Sequence, residues 1–266
     1  MAAASSNPGT KNDSIENAIP VRVRKGLRNA ASLLSQLWTE INEFVLGIRT
    51  EPERQADRIA VQGGWKGTFS KDARHDDNFI YVTISYRNIQ RVLRYLKPRP
   101  EDVFYDIGSG MGRVLCVVAR KDVRKCVGVE LLEPLCQIAR RNSASLRGRK
   151  APIQIISGDA TTADLAEGTI YFLFNPFGPE TLRHTLENIR CSLSQKPRAI
   201  KVVYYNSVFQ SVLEGLPWLR QVHEFESSGG HRVTFWENAG SEDGRAVGGV
   251  SRERRQENPR ASQSAV

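Results

Sequence analysis

The chain has 266 residues, of which 40% are hydrophobic, and a formal net charge of +9. This length predicts one substantial domain with appended segments, since single domains run to roughly 100–200 residues. No apolar run approaches the roughly 18–20 residues that a membrane span needs, and the N-terminus lacks the apolar stretch of a signal peptide. We therefore expect a cytoplasmic protein without a membrane span. The positive charge permits an acidic partner, although solubility and basic tails explain it more simply.

The N-terminal 80 residues are predicted to form an extension. Residues 1–20 are small and polar, which predicts a disordered leader, and residues 21–80 are expected to hold a helix and a loop. The helix begins with a basic segment and then carries apolar residues at steps of three and four. We favour a helix packed on the following domain, with a membrane-surface or partner-binding helix as the alternative. The recurring residues are Leu27, Ala30, Leu34, Leu37, Ile41, Phe44 and Ile48.

Residues 81–240 are predicted to form one α/β domain, and residues 241–266 a disordered tail. A helix is expected over 86–96, because Lys97-Pro-Arg-Pro100 stops it. Short apolar runs then alternate with amphipathic stretches, which predicts a Rossmann-like, mostly parallel seven-stranded sheet covered by helices. Ser228-Gly-Gly230 indicates a terminal antiparallel hairpin. The predicted strands are 102–107, 125–131, 153–159, 170–175, 199–206, 220–227 and 231–238.

The four cysteines are predicted to be reduced core thiols. No two of them form a Cys-x-x-Cys pair, and all lie in apolar-patterned segments, so we expect neither a disulfide framework nor a metal site. These residues are Cys116, Cys126, Cys136 and Cys191.

The first predicted strand ends in a glycine-rich loop, Asp106-Ile-Gly-Ser-Gly-Met-Gly112. Its glycines allow a tight turn and a close ligand approach, and the following helix N-terminus attracts a carboxylate or a phosphate. Asp106 separates these two ligand classes. Its carboxylate would repel a pyrophosphate but would bind an ammonium, such as that of the methionine part of S-adenosylmethionine (SAM).

Acidic residues also follow the next two predicted strands. Glu130 lies 24 residues after Asp106, a distance at which an acid accepts hydrogen bonds from ribose hydroxyls. Asp159 follows the third strand and could accept a hydrogen bond from the adenine amine. Any one of these acids alone would more often cap a helix or form a turn. Their series at successive strand ends predicts an adenosine-binding edge.

The fourth predicted strand ends in Phe174-Asn-Pro-Phe-Gly178, where the reacting methyl group would lie. The Asn175 side-chain oxygen could accept a hydrogen bond from a substrate N–H and so orient the nitrogen lone pair. Phe177 offers an aromatic face to a cationic sulfonium. Tyr81 follows a loop that contains His75 and could cover the cofactor. Asn175, Phe177 and Tyr81 are therefore the candidate catalytic residues, and Tyr86, Tyr204 and Tyr205 are further aromatic residues near this region.

These motifs resemble the class I SAM-dependent methyltransferase family over roughly residues 80–240. Tyr105–Leu115 is similar to the loop of non-SET protein lysine methyltransferases. Asn175-Pro-Phe-Gly178 is similar to the Asn-Pro-Pro-Tyr signature of amino-group methyltransferases, with one proline and Gly178 in place of the aromatic residue; a bacterial group of methyltransferases carries Asn-Pro-Phe-Gly there. The resemblance implies SAM as the cofactor. It implies cofactor contacts by Asp106, Gly108, Ser109, Gly110, Gly112, Glu130, Leu131, Asp159, Ala160 and Asn175.

The sequence thus predicts direct methyl transfer from SAM to an acceptor, with a nitrogen of a protein lysine, an amine or a small molecule as the first expectation. A nucleic-acid acceptor is disfavoured, because no arginine and aromatic motif of an RNA-binding module is present. Two other functions stay open. A nicotinamide-dependent oxidoreductase would normally carry Gly-x-Gly-x-x-Gly, whereas this loop reads Gly-x-Gly-x-Gly. A SAM-binding scaffold without catalysis would keep the same acids.

Overall fold

The computed structural model describes residues 21–50 and 83–238. The leader, the tail, Tyr81 and the loop with His75 lie outside the described residues. Within these ranges, two helices precede the sheet, α1 (Val21–Leu46) and α2 (Tyr86–Leu96). The Ser85 side chain caps α2 by accepting a hydrogen bond from the Asn88 backbone N–H. The predicted bounds of α2 are confirmed.

Seven strands form one sheet in the order β3-β2-β1-β4-β5-β7-β6. Strands β1 to β5 pair in parallel, while β7 runs antiparallel between β5 and β6. The predicted fold class, a mostly parallel seven-stranded sheet with a terminal antiparallel hairpin, is confirmed. The strands are β1 (Val103–Ile107), β2 (Lys125–Glu130), β3 (Ile153–Ser157), β4 (Ile170–Phe174), β5 (Lys201–Tyr205), β6 (Leu219–Glu226) and β7 (Arg232–Asn238).

Three helices connect parallel strands, as the amphipathic stretches predicted: α3 (Arg113–Val118), α4 (Glu133–Ser145) and α5 (Pro179–Gln195). A fourth, α6 (Gln210–Glu214), follows β5. Helix α6 was not predicted, because five residues are too few to display a helical period.

The core lies on both faces of the sheet. On one face, Phe104 packs with side chains of α2 and α3, and on the other, Tyr105 packs with side chains of α5. Burial on both faces explains why the parallel strands have nearly continuous apolar sequences. Cys116, Cys126 and Cys136 are buried as predicted. Cys191 is exposed on α5, so the prediction of a core thiol is wrong for that residue.

Most of the apolar stripe of α1 is exposed to solvent. The C-terminal end of this segment is anchored, since Leu46, Ile48 and Thr50 are buried. The favoured prediction, a stripe packed on the domain, is therefore wrong for most of the described side chains of α1. Among the described helices, none combines the length and the apolarity needed to cross a bilayer. The exposed residues of the stripe are Leu33, Leu34, Leu37, Trp38, Ile41, Phe44 and Val45.

Candidate active site

The carboxyl ends of β1, β2 and β3 lie side by side at one edge of the sheet. The Gly108 N–H donates to the Val129 carbonyl at 2.8 Å, and the Gly158 N–H donates to the Glu130 carbonyl at 2.9 Å. The structure therefore brings the glycine loop, Glu130 and the turn at Asp159 into one row, in the order that the strand-end series predicted.

The glycine loop requires glycine where it meets the segment after β4. Gly108, Gly110 and Gly112 all have positive φ angles, of 76°, 53° and 80°. A Cβ added to Gly108 would lie 2.5 Å from Cβ of Pro176. This close approach places the neighbouring Asn175 beside the glycine loop, next to the cofactor residues that the sequence predicted.

The Glu130 carboxylate closes the glycine loop from the β2 side. Its Oε2 accepts a hydrogen bond from the Gly110 N–H at 2.8 Å, and its Oε1 accepts one from the Leu132 N–H at 3.0 Å. Burial raises the pKa of Glu130, while these backbone hydrogen bonds act to lower it. A carboxylate offers about four acceptor positions, so Glu130 can hold the loop and still accept from a ligand hydroxyl.

Asp106 is a buried acid to which the described residues bring no counter-charge. Its residue is 3% exposed, and within the described part of the chain its carboxyl group forms neither a hydrogen bond nor an ion pair. Burial, together with the charge of Glu130, raises the pKa of Asp106 to about 8. The Ser109 hydroxyl is also buried and has no partner among the described residues. Buried polar groups of this kind cost free energy until they are paired. A ligand that carries an ammonium and a hydrogen-bonding group fits this site.

The third member of the row is a turn. The Asp159 Oδ1 accepts a hydrogen bond from the Thr161 N–H at 2.8 Å, and its backbone carbonyl accepts from Ala163. Asn188 of α5 donates to the Ala160 carbonyl at 3.1 Å and so fixes the turn to the helix layer. Leu131 and Asp159 are half-buried and remain accessible at this edge.

Asn175 is fixed by both its backbone and its side chain. Its φ angle is 39°, in the left-handed region, and its Oδ1 accepts a hydrogen bond from the Tyr204 hydroxyl at 2.7 Å. Burial raises the pKa of Tyr204 to about 12, so the hydroxyl keeps its proton and donates. Sequence reasoning expected one of the two adjacent tyrosines to reach this region. Tyr204 does so, whereas the Tyr205 hydroxyl accepts from Asn88 on the other face of the sheet.

The aromatic residues near Asn175 differ from those expected. Phe177 is 4% exposed and packs in the apolar core with α5, so its ring has little free surface. Phe174 is half-buried, with its ring centroid 4.8 Å from that of Tyr205 and 6.1 Å from that of His231. Sequence analysis missed this cluster of Phe174, Tyr205 and His231, because it joins β4, β5 and the hairpin. The available signal was the histidine directly after Gly229-Gly230.

Arg113, the first residue after the glycine loop, fastens the N-terminal extension to it. Its guanidinium donates to Glu43 Oε1 at 3.0 Å, to Thr50 Oγ1 at 2.6 Å and to the Ile84 carbonyl at 3.2 Å. It also lies 5.1 Å from the ring centroid of Tyr86. Burial raises the pKa of Tyr86 to about 12, and its ring belongs to this contact. The sequence analysis did not anticipate this Arg113 network, since its members are far apart in the chain.

A second link joins the same two regions. The Asn142 side chain of α4 accepts from the Arg49 N–H and donates to the carbonyls of Arg49 and Met111, all at 2.9 Å. The hydrogen bonds of Arg113 and Asn142 therefore hold the extension and the glycine loop together. A separate cavity of about 630 Å³ lies at the opposite, amino-terminal edge of the sheet, between α2, β5 and β7.

Comparison with known proteins relates this site to methyltransferases. Residues 71–153, which include the glycine loop and Glu130, match the family model "Histone methylation protein DOT1". A protein-lysine N-methyltransferase of Saccharolobus islandicus is 30% identical over 95 residues, which cover 35% of this chain and 58% of the relative. The Drosophila melanogaster histone-lysine N-methyltransferase specific for H3 lysine-79 is 27% identical over 134 residues, which cover 46% of this chain and 7% of the relative. The resemblance to SAM-dependent methyltransferases is confirmed.

The matched regions are partial. The chain spans less than two thirds of the length of each of these two relatives. Among solved structures, an RNA methyltransferase from Salinibacter ruber in complex with S-adenosyl-L-homocysteine is 25% identical, with a TM-score of 0.46. That match covers 60% of this chain and 95% of the other.

Proposed function

We propose that this protein is a SAM-dependent methyltransferase that transfers a methyl group directly to an amine nitrogen. The observation that carries the proposal is Asp106, a buried carboxyl group beside a glycine loop that has no counter-charge among residues 21–50 and 83–238. A pyrophosphate would add negative charge to this acid and to Glu130, whereas the ammonium of SAM would neutralise Asp106. This difference favours SAM over a nicotinamide dinucleotide.

On the donor side of the site, at the ends of β1, β2 and β3, different residues would bind different parts of SAM. Asp106 and the Ser109 hydroxyl would bind the methionine ammonium and carboxylate region, next to the bare backbone of Gly108, Gly110 and Gly112. Glu130 would accept from the ribose hydroxyls through the acceptor positions that the loop leaves free. Asp159, with Leu131 and Ala160 beside it, would face the adenine. When bound, SAM supplies a methyl group already activated by the sulfonium charge.

The acceptor side would be organised by Asn175. Because Tyr204 donates to its side-chain oxygen, the orientation of the amide is fixed, and its second lone pair can accept from a substrate N–H. Asn175 would thereby direct the nitrogen lone pair toward the donor. Phe177 would support Asn175 from the core, and the role proposed for Tyr81 as a cover lies outside the described residues.

A protein lysine is the first acceptor class to test. Two of the matched relatives are lysine methyltransferases by name, and the half-buried ring of Phe174, one residue before Asn175, has the His231 ring centroid 6.1 Å from its own. A lysine ammonium must lose its proton before its nitrogen can attack. Removal of water by half-buried rings disfavours the charged amine and so assists this step.

The test is transfer of radiolabelled methyl from SAM to purified acceptors, with hydrolysis of the product to identify the methylated atom. Lysine-rich proteins and small amines are offered separately, and sinefungin is added as a competitor. We expect label in N-methyl-lysine, inhibited by sinefungin. Label recovered only in a small amine would show that the acceptor is a small molecule and not a protein lysine. Tight SAM binding without transfer to any fraction of a cell lysate would identify a non-catalytic scaffold and contradict the proposed activity. Displacement of bound SAM by a nicotinamide dinucleotide would contradict the proposal that SAM is the cofactor.

A further inference from the structure

One helix of this protein presents a broad apolar surface to solvent. Seven side chains of α1 are between 46% and 76% exposed. At about 100° per residue they fall within one arc of roughly 140°. Ser32, Ser35, Gln36 and Glu40 occupy the opposite arc, and all are exposed. Contiguous exposed apolar surface of this kind marks an interaction site. We define the apolar face of α1 as Leu33, Leu34, Leu37, Trp38, Ile41, Phe44 and Val45.

Cationic side chains lie beside the C-terminal end of this face. The Arg147 guanidinium lies 5.8 Å from the ring centroid of Phe44 and donates to the Phe44 carbonyl at 3.0 Å. Arg149 and Lys150 follow it, and the Arg120 side chain lies against Gly148. All four cations are exposed, and none of them forms an ion pair among the described residues. We call Arg120, Arg147, Arg149 and Lys150 the basic loop.

The other end of α1 is also basic. Its first eight residues, Val21 to Arg28, contain three arginines and one lysine and no acid. Farther along, α1 carries two acids, and one of them, Glu43, is already paired with Arg113. The apolar face is thus flanked by a basic sequence segment at one end and by the basic loop at the other.

We propose that the apolar face of α1 and the basic loop bind the surface of an anionic lipid bilayer, with α1 lying in the plane of the interface. An amphipathic helix with leucine and aromatic residues on one face and basic residues on the other binds in this way. The apolar face would enter the boundary of the acyl chains, and the cations at its two ends would contact the headgroups.

The charge arrangement distinguishes the bilayer from other occupants. A second copy packed antiparallel on α1 would bring the basic loop of one chain to the basic N-terminal end of the other. A parallel arrangement would bring the two basic loops together. Both pairings place like charges next to each other, which disfavours association. A nucleic acid would satisfy the cations but would leave seven apolar side chains in water.

The experiment is flotation of the full chain with vesicles of phosphatidylcholine alone or mixed with phosphatidylglycerol. We expect the chain to float with the mixed vesicles, to stay at the bottom with phosphatidylcholine alone, and to be released by high salt. This test uses no methyl transfer, so its outcome is independent of the proposed enzymatic activity.

Two adjacent substitutions test the role of the apolar face. Leu37→Glu adds one negative charge to the face, and Gln36→Glu adds the same charge one residue away on the opposite arc. Leu37→Glu is expected to lower the partition coefficient by more than about tenfold, because it also removes a leucine side chain that the bilayer would bury. Gln36→Glu should lower it by no more than about fivefold. Circular dichroism confirms that both variants are folded. Equal losses for the two variants would overturn the proposal.

A second pair of variants tests the basic loop. Arg120→Gln with Lys150→Gln removes two of its charges, and Arg183→Gln with Lys196→Gln removes the same charge from exposed positions at α5, on the other side of the sheet. Only the first pair should weaken binding to anionic vesicles. Failure of the original chain to float would overturn the proposal. Two other results would also overturn it. One is a chain that does not bind vesicles but forms a dimer, with the dimer abolished by Leu37→Glu. The other is binding to duplex RNA with an affinity that Leu37→Glu does not change.

Discussion

The two halves of the candidate active site are built on opposite principles. On the donor side, at β1 and β2, Asp106 and Ser109 are buried with no partner among the described residues. On the acceptor side, at β4 and β5, Asn175 already accepts a hydrogen bond from Tyr204, and Tyr205 is bonded to Asn88. The donor side is left open for a ligand to complete, and the acceptor side is completed by the protein itself.

This difference indicates how each half would contribute. An unpaired buried acid destabilises the free protein and returns that free energy when a cation binds, so the donor side would act through affinity. A pre-formed hydrogen bond fixes geometry without requiring a ligand, so the acceptor side would act through the rate of transfer. Substitutions on the two sides should therefore change different measured quantities.

The largest effect is expected for Asp106→Asn. Removing the carboxylate should weaken SAM binding at least about 100-fold, because the ammonium loses a buried counter-charge. The same substitution should stabilise the ligand-free protein by about 1–3 kcal/mol at pH 8, because a buried unpaired charge is removed. Calorimetric titration and thermal unfolding measure the two quantities.

The matched control is Asp102→Asn, next to the other end of β1. Asp102 is buried too, but its carboxylate accepts from the Thr169 hydroxyl at 2.8 Å and from the Arg99 N–H at 2.7 Å. This substitution should therefore destabilise the protein and leave SAM affinity unchanged. If Asp106→Asn left the affinity unaltered, the open donor side would have no role in binding.

The next effect is expected for Gly108→Ala. An added Cβ would meet Pro176 at 2.5 Å, at a φ of 76° that side chains avoid, so the loops after β1 and β4 would be forced apart. We expect a loss of about 1–3 kcal/mol of stability, measured by chemical denaturation. Gly158→Ala serves as the control, since its added Cβ meets no atom within 4 Å. Equal stabilities of the two variants would show that the close approach is unimportant.

The pH dependence of SAM affinity gives a smaller effect with a definite sign. The pKa of Asp106 is raised to about 8, so in the free protein its carboxyl is largely protonated below that pH. An ammonium binds the ionised form, so affinity should rise by up to about tenfold per pH unit between pH 6 and 8. The stability of the free protein should fall over the range from about 4 to 8, because the unfolded chain ionises first. Asp106→Asn should flatten the Asp106 contribution to both profiles; a slope unchanged by it would point to another group.

The smallest effect is expected for Tyr204→Phe, which removes the hydroxyl that orients Asn175. The rate of methyl transfer should fall by about three- to tenfold, and SAM affinity should stay constant, as single-turnover kinetics and titration would show. Tyr205→Phe removes an equally buried hydroxyl whose partner is Asn88 on the other face. A rate that falls equally in the two variants would mean that Asn175 is not specifically positioned by Tyr204.

The sequence predicted the structure best where the geometry depends on adjacent positions in the chain. Strand ends and their following residues are read from adjacent positions, so Asp106, Glu130 and Asp159 were found as a series and lie in a row. Helix α2 was also predicted correctly, because a proline-containing segment marks its C-terminal end. The mostly parallel sheet followed from the alternation of strands and helices, and its antiparallel end followed from the hairpin signal at Ser228-Gly-Gly230.

It failed where distant parts of the chain meet. Arg113 contacts Glu43, seventy residues away, and no local period reports such a pair. The exposed face of α1 has the same period as a packed helix, so amphipathicity alone could not tell which surface it contacts. For Phe177 and Phe174, the sequence shows two aromatic residues flanking Asn-Pro, but packing against α5 buries Phe177 and leaves Phe174 half-buried.

The Arg113 network bears on where the chain can be divided. A fragment that began at residue 81 would retain all seven strands of the described sheet, yet the buried Arg113 guanidinium would lack the Glu43 carboxylate and the Thr50 hydroxyl, directly beside the glycine loop. The N-terminal extension and the α/β domain therefore depend on the same buried contacts and should be kept together in any fragment. If the extension were exchanged between related chains, Arg113, Glu43 and Thr50 would have to be transferred together.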